Sequence, residues 1–137
     1  MNKADFLKKE KIFCERCGRD LTIKPELSMI QIVDDNTTKK IARIVSCCKG
    51  ECDKKLLLNL KENECGRWKD LTVLFNPIFY IEHMMAILNH MYDGGGFESE
   101  KVFEDYKNLM LKCYPYVIRN LTEEEITQMK YMNMLPF

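Results

Sequence analysis

Phe13-Cys14-Glu15-Arg16-Cys17-Gly18 and, about thirty residues further on, Ser46-Cys47-Cys48-Lys49-Gly50-Glu51-Cys52 are the two stretches that decide the fold of this chain. In the first, two cysteines separated by two residues and followed by glycine let the backbone turn tightly while its amides point at the sulfurs. Residues 27–33 and 41–45 are rich in β-branched side chains, and the turn-forming run Asp34-Asp35-Asn36-Thr37-Thr38 lies between them. They are expected to pair as a β-hairpin, which brings the second cysteine group back to the first. Residues 53–60 then continue as a helix.

Such convergence suits a metal ion, because four soft ligands must meet tetrahedrally about 2.3 Å from one centre. Cys14, Cys17 and Cys52 are three of the candidates. For the fourth, three residues separate Cys48 from Cys52 and four separate Cys47 from Cys52. Cys48 is preferred, since Lys49-Gly50-Glu51 forms a short loop with glycine available for a positive φ, and Cys52 then falls in the first helical turn. Cys47 becomes a packed neighbour.

Over residues 12–62 this order of knuckle, hairpin, second knuckle and helix resembles the treble-clef and zinc-ribbon type of four-cysteine module. The resemblance implies a structural zinc ion on Cys14, Cys17, Cys48 and Cys52. It implies a scaffold and no activity. In such modules the second cysteine pair usually has two intervening residues, which neither pairing here reproduces. The competing readings are a redox dithiol at Cys14 and Cys17, or iron in a rubredoxin-like site, because the same thiolates accept either metal. Cys65 and Cys113 have no partner at ligand spacing and are expected to pack as small apolar residues.

Composition sets the frame around this module. The 137 residues are 46% apolar, enough for one modest core or two small ones. Lys and Arg balance Asp and Glu at 21 each, so there is no overall positive excess to drive phosphate binding. Residues 1–70 hold 16 Lys/Arg against 12 Asp/Glu (+4), and residues 71–137 hold 5 against 9 (−4). Four thiolates on Zn²⁺ carry a formal −2, which would reduce the N-terminal excess to about +2. Residues 1–10 alternate charged and apolar side chains without a secretory core, and no stretch offers the roughly twenty apolar residues of a membrane span. A cytoplasmic location is expected, where seven cysteines favour metal ligation over disulfides.

The fold class expected is α+β: an N-terminal zinc-bound β-hairpin plus helix over residues 1–69, followed by a three-helix C-terminal domain over residues 70–137 packed against it. Residues 1–11 suit a short charged helix or ordered arm. Residues 63–70 are polar and contain Gly66, so they read as a connector in which Trp68 braces the two halves. Asn76 caps a helix that starts at Pro77 and runs to about Tyr92, with Phe75 and Tyr80 as a hydrophobic staple. Gly94-Gly95-Gly96 ends it. A second helix spans about residues 99–113 and stops before Pro115, and a third starts at the cap Thr122 with Glu125 three residues on.

His83 and His90 share a helix face with Glu82, Ala86, Asn89 and Asp93, which reads as a solvent-facing stripe and not as a second metal site. The triglycine lacks the downstream Lys-Ser/Thr of a phosphate loop. The methionines of the helical half read first as core, with some left for a partner. No catalytic residue is assigned. The favoured function is a non-enzymatic, zinc-stabilised interaction protein whose helical half offers an apolar, acidic surface to another protein. The alternative is a nucleic-acid-binding regulator that uses the basic zinc module. Clustering of Arg16, Arg19, Lys49, Lys54 and Lys55 on one face would favour nucleic acid, and dispersal would favour a protein partner. The apolar tail, residues 131–137, is expected to fold back over the first two C-terminal helices.

Overall fold

The computed structural model describes residues 9–118 and Glu124; the expectations for residues 1–8, for the third helix and for the tail lie outside them. The fold is α+β. Strand β1 (Ser28–Asp35) pairs antiparallel with β2 (Ile41–Cys48) and, on its other edge, with β3 (Glu64–Asp70), so the sheet order is β2-β1-β3. Helix α1 (Glu51–Leu57) links β2 to β3, a single turn α2 (Leu71–Leu74) follows β3, and α3 (Pro77–Tyr92) and α4 (Glu100–Val117) complete the described chain.

The central strand explains the arrangement. From Ser28 to Val33 every residue of β1 is buried, so both faces of the sheet must be covered. Gln31 Nε2 donates to the Asp53 carbonyl at 3.0 Å, which places α1 on the face that Met29, Gln31 and Val33 share. Ile30 and Ile32 point the other way, towards α3 and α4. A single apolar cluster joins Ile12, Leu21, Ile30, Ile32 and Cys47 to Leu71, Tyr80, Ile87, Tyr106 and Cys113.

Residues 63–70, read above as a connector, form a strand instead. Gln31 sits opposite Trp68 and Ile32 opposite Arg67, and the polar side chains are tolerated because β3 is an edge strand with most of its residues exposed. Trp68 is 63% exposed and braces nothing.

The cap and staple at the start of α3 form as expected. Asn76 Oδ1 accepts from the amides of Ile78 and Phe79 at 3.0 and 3.3 Å. The staple residues find their partners on α4: Phe75 stacks on Tyr116 with ring centroids 4.6 Å apart, and Tyr80 lies 6.1 Å from Tyr114. Helix α4 differs from expectation in continuing through Pro115 to Val117. A proline there forfeits one amide in the last turn, and burial of its ring in the core offsets part of that loss.

A candidate metal centre

Each of the four thiols named above is delivered by a different local device. An antiparallel bridge between Phe13 and Asp20 closes the first knuckle, and the Cys14 amide donates to the Arg19 carbonyl at 2.8 Å. The knuckle is pinned to β2, where the Glu15 amide donates to the Ser46 carbonyl at 2.9 Å and Ser46 Oγ to the Phe13 carbonyl at 2.8 Å. Gly50, at φ 98°, supplies the left-handed residue that turns the end of β2 into α1 and sets Cys52 in its first turn.

The result is that the Sγ atoms of Cys14, Cys17, Cys48 and Cys52 all lie within 4.8 Å of one another. Among the described residues this is the one group of three or more His, Cys, Asp or Glu side chains so placed. Tetrahedral ligation at about 2.3 Å requires sulfurs roughly 3.8 Å apart. The Cys17 and Cys48 sulfurs are 3.6 Å apart, so the donor set fits a zinc-sized ion with little adjustment. Cys47 takes the other face of β2, where successive side chains alternate, and is fully buried.

The electrostatics are those of a shared negative site. Burial raises the Cys14 thiol, but amides of Cys17, Cys48 and Arg16 and the Cys17 thiol outweigh it and bring it down to about 6. Burial, together with hydrogen bonds to the Cys17 and Cys14 sulfurs, pushes Cys48 up to about 12. One thiolate thus forms readily and resists a second beside it, the pattern a dication would relieve. Arg16 Nη1 stands 3.6 Å from Cys52 Sγ as a nearby countercharge.

The remaining candidates sort differently. Cys113 is buried in the core as expected, whereas Cys65 is exposed and donates to Asn36 Oδ1 at 3.3 Å. His83 is not on a solvent-facing stripe: it is only 8% exposed, with Nδ1 3.1 Å from the Tyr106 hydroxyl. Its position could not be read from the helix alone, because β3, which turns that helix face inward, had been taken for a connector.

The chain matches no protein-family model, no curated protein and no solved structure. What fold and site define together is therefore a class: an α+β protein with a four-cysteine cluster compatible with a metal ion. No described helix is long and apolar enough to cross a membrane.

Proposed function

We propose that this chain is a non-enzymatic, zinc-stabilised interaction protein that receives a basic amphipathic helix of another protein on the outer face of α3. The observation that carries this reading is a seam of exposed apolar residues. Ile78, Ile81, Met85, Leu88 and Tyr92 follow one another at spacings of three and four along α3, and they are 67%, 53%, 48%, 54% and 91% exposed. The buried residues of the same helix, Tyr80, His83 and Ile87, occupy a different sector. A helix apolar on two faces needs cover on both.

The seam is about 21 Å long and has the spacing at which two helices interlock side chains. Its flanking charge is acidic: α3 carries Glu82, Asp93 follows it, and the helix contains no Lys or Arg. A partner helix with apolar residues facing the seam and lysine or arginine beside them matches both features. The cysteine cluster supports the non-enzymatic part of the reading, since four protein ligands leave no coordination position for substrate.

The basic residues of the zinc module weigh against the nucleic-acid reading. Lys49 pairs with Asp70 at 3.0 Å, and Lys55 pairs with Glu51 at 3.0 Å. Arg19 donates to the Leu27 carbonyl at 3.5 Å, and Arg16 lies against Cys52. Four of the five cations are spent locally, which leaves little free charge for phosphates.

The test is titration with a synthetic helical peptide of about three heptads, leucine at the seam positions and lysine beside them. Saturable binding is expected, weakened about tenfold or more in Met85→Glu/Leu88→Glu at unchanged melting temperature. Equal binding by the variant would sink the proposed surface. Self-association abolished by the same substitutions would replace the partner helix with a second copy, and sub-micromolar affinity for DNA at physiological salt would favour the nucleic-acid reading.

A further inference from the structure

Beside the seam, α3 presents a third sector to a cavity of about 640 Å³ under the β1–β2 turn. Phe79, Ala86 and Ile87 form an apolar wall, and Arg67 and Lys69 of β3 face them. A cavity of this size and mixed character is in the range that holds small organic ligands. Two of its polar atoms are unexplained by the protein: Nε2 of His83 and Nε2 of His90 are both buried, and neither has a hydrogen-bond partner.

The network around His83 says what the free nitrogen offers. The buried Tyr106 hydroxyl finds its acceptor in His83 Nδ1, 3.1 Å away. Donation from the phenol to Nδ1 leaves the imidazole proton on Nε2, an N–H donor aimed at the cavity. His90 is held by the triglycine turn, where a Cβ on Gly95 would come within 2.3 Å of the ring. Only glycine at that position lets the imidazole lie against the loop.

The charges lining the cavity are unevenly spent. Asp34 is occupied by Arg67 at 2.8 Å, and Asp35 Oδ1 accepts from the Thr37 and Thr38 amides of its own turn. Lys39, Lys69 and Glu82 have no ion-pair partner among the described residues, so unpaired cations outnumber unpaired anions. A divalent cation does not suit the site, because Lys69 and Arg67 both act on His83.

We propose that this cavity binds a small molecule with an apolar, ring-sized body and an anionic acceptor head, the head on His83 Nε2 and Lys69 and the body between Phe79, Ala86 and Ile87. Buried donors normally have partners, and a ligand acceptor would satisfy the His83 donor that the fold leaves open. A carboxylate and a phosphate share the chemistry required.

The experiment is imidazole ¹⁵N NMR of the full chain at neutral pH, titrated with benzoate, phenyl phosphate, benzyl alcohol and inorganic phosphate. The two aromatic anions are expected to shift the Nε2 signals of His83 and His90 saturably. Benzyl alcohol and inorganic phosphate, each half of the ligand, should bind about tenfold more weakly or worse. Lys69→Gln should cost the anions about tenfold and leave benzyl alcohol unchanged. Ala86→Phe, at an exposed helical position, should fill the cavity and abolish every shift. The tighter of the two aromatic anions identifies the head. Absence of saturable shifts up to about 10 mM, equal affinity for benzyl alcohol and benzoate, or shifts that survive Ala86→Phe would overturn the proposal.

Discussion

Cys47 and Cys48 are neighbours on one strand, and alternation sends one thiol into the core and the other towards the metal cluster. Cys48→Ser is expected to lose the metal and at least about 3 kcal/mol of stability, since binding energy in such sites is folding energy. Cys47→Ser should keep about one equivalent of metal and lose about 1–3 kcal/mol for a hydroxyl buried in an apolar setting. Elemental analysis beside thermal melts separates the two, and loss of metal in the Cys47 variant instead would exchange their roles. The choice of Cys48 rested on Gly50, whose positive φ the sequence could suggest because no other residue type turns there so cheaply. His83 gave no such signal. Its burial, with Lys69 and Arg67 nearby, lowers its pKa from 6.5 to about 4. The unfolded imidazole takes up a proton near pH 6.5 and the folded one only near pH 4, so stability falls as pH drops through that window and levels off below it. The loss is about 2 kcal/mol, read as the difference in urea stability between pH 7 and pH 4.5 for wild type and His83→Gln. Equal pH slopes in the two proteins would contradict it.

At the scale of elements, what was legible had a local cause. The turn signals between β1 and β2 and the Asn76-Pro77 start of α3 are each written in a few consecutive residues, and both form as expected. β3 was illegible because Glu64, Arg67, Lys69 and Asp70 carry no apolar alternation. Its strand character comes from pairing with β1, and charge is acceptable at a sheet edge. Ion pairs across the register assist: Arg43 reaches Glu64 with two bonds of 3.0 Å, and Arg67 reaches Asp34 at 2.8 Å. Pro115 misled for the converse reason. A rule about helix interiors was applied to a last turn, where the penalty is smaller and the core takes the ring. The methionines divided as their spacing on α3 and α4 dictates, with Met110 buried and Met85 and Met91 in the open.

Taken whole, the molecule is organised about β1, the one strand covered on both faces and paired on both edges. The Tyr116 hydroxyl donates to the Glu10 carbonyl at 2.6 Å, tying the end of α4 to the approach of the first knuckle. Long-range closure of this kind has no sequence signature, because it depends on where two distant elements end up. β3 has a further consequence that concerns solubility. An edge strand with an exposed tryptophan could template the addition of like strands from other molecules, and the charges of Arg67 and Lys69 on either side of Trp68 oppose such stacking. Exchanging both for valine leaves a seven-residue edge, Glu64–Asp70, with a continuous β-forming centre. Arg67→Val/Lys69→Val is expected to form thioflavin-positive aggregates under conditions where the wild type stays monomeric by light scattering, and a variant that remained monomeric would show that something other than charge guards this edge.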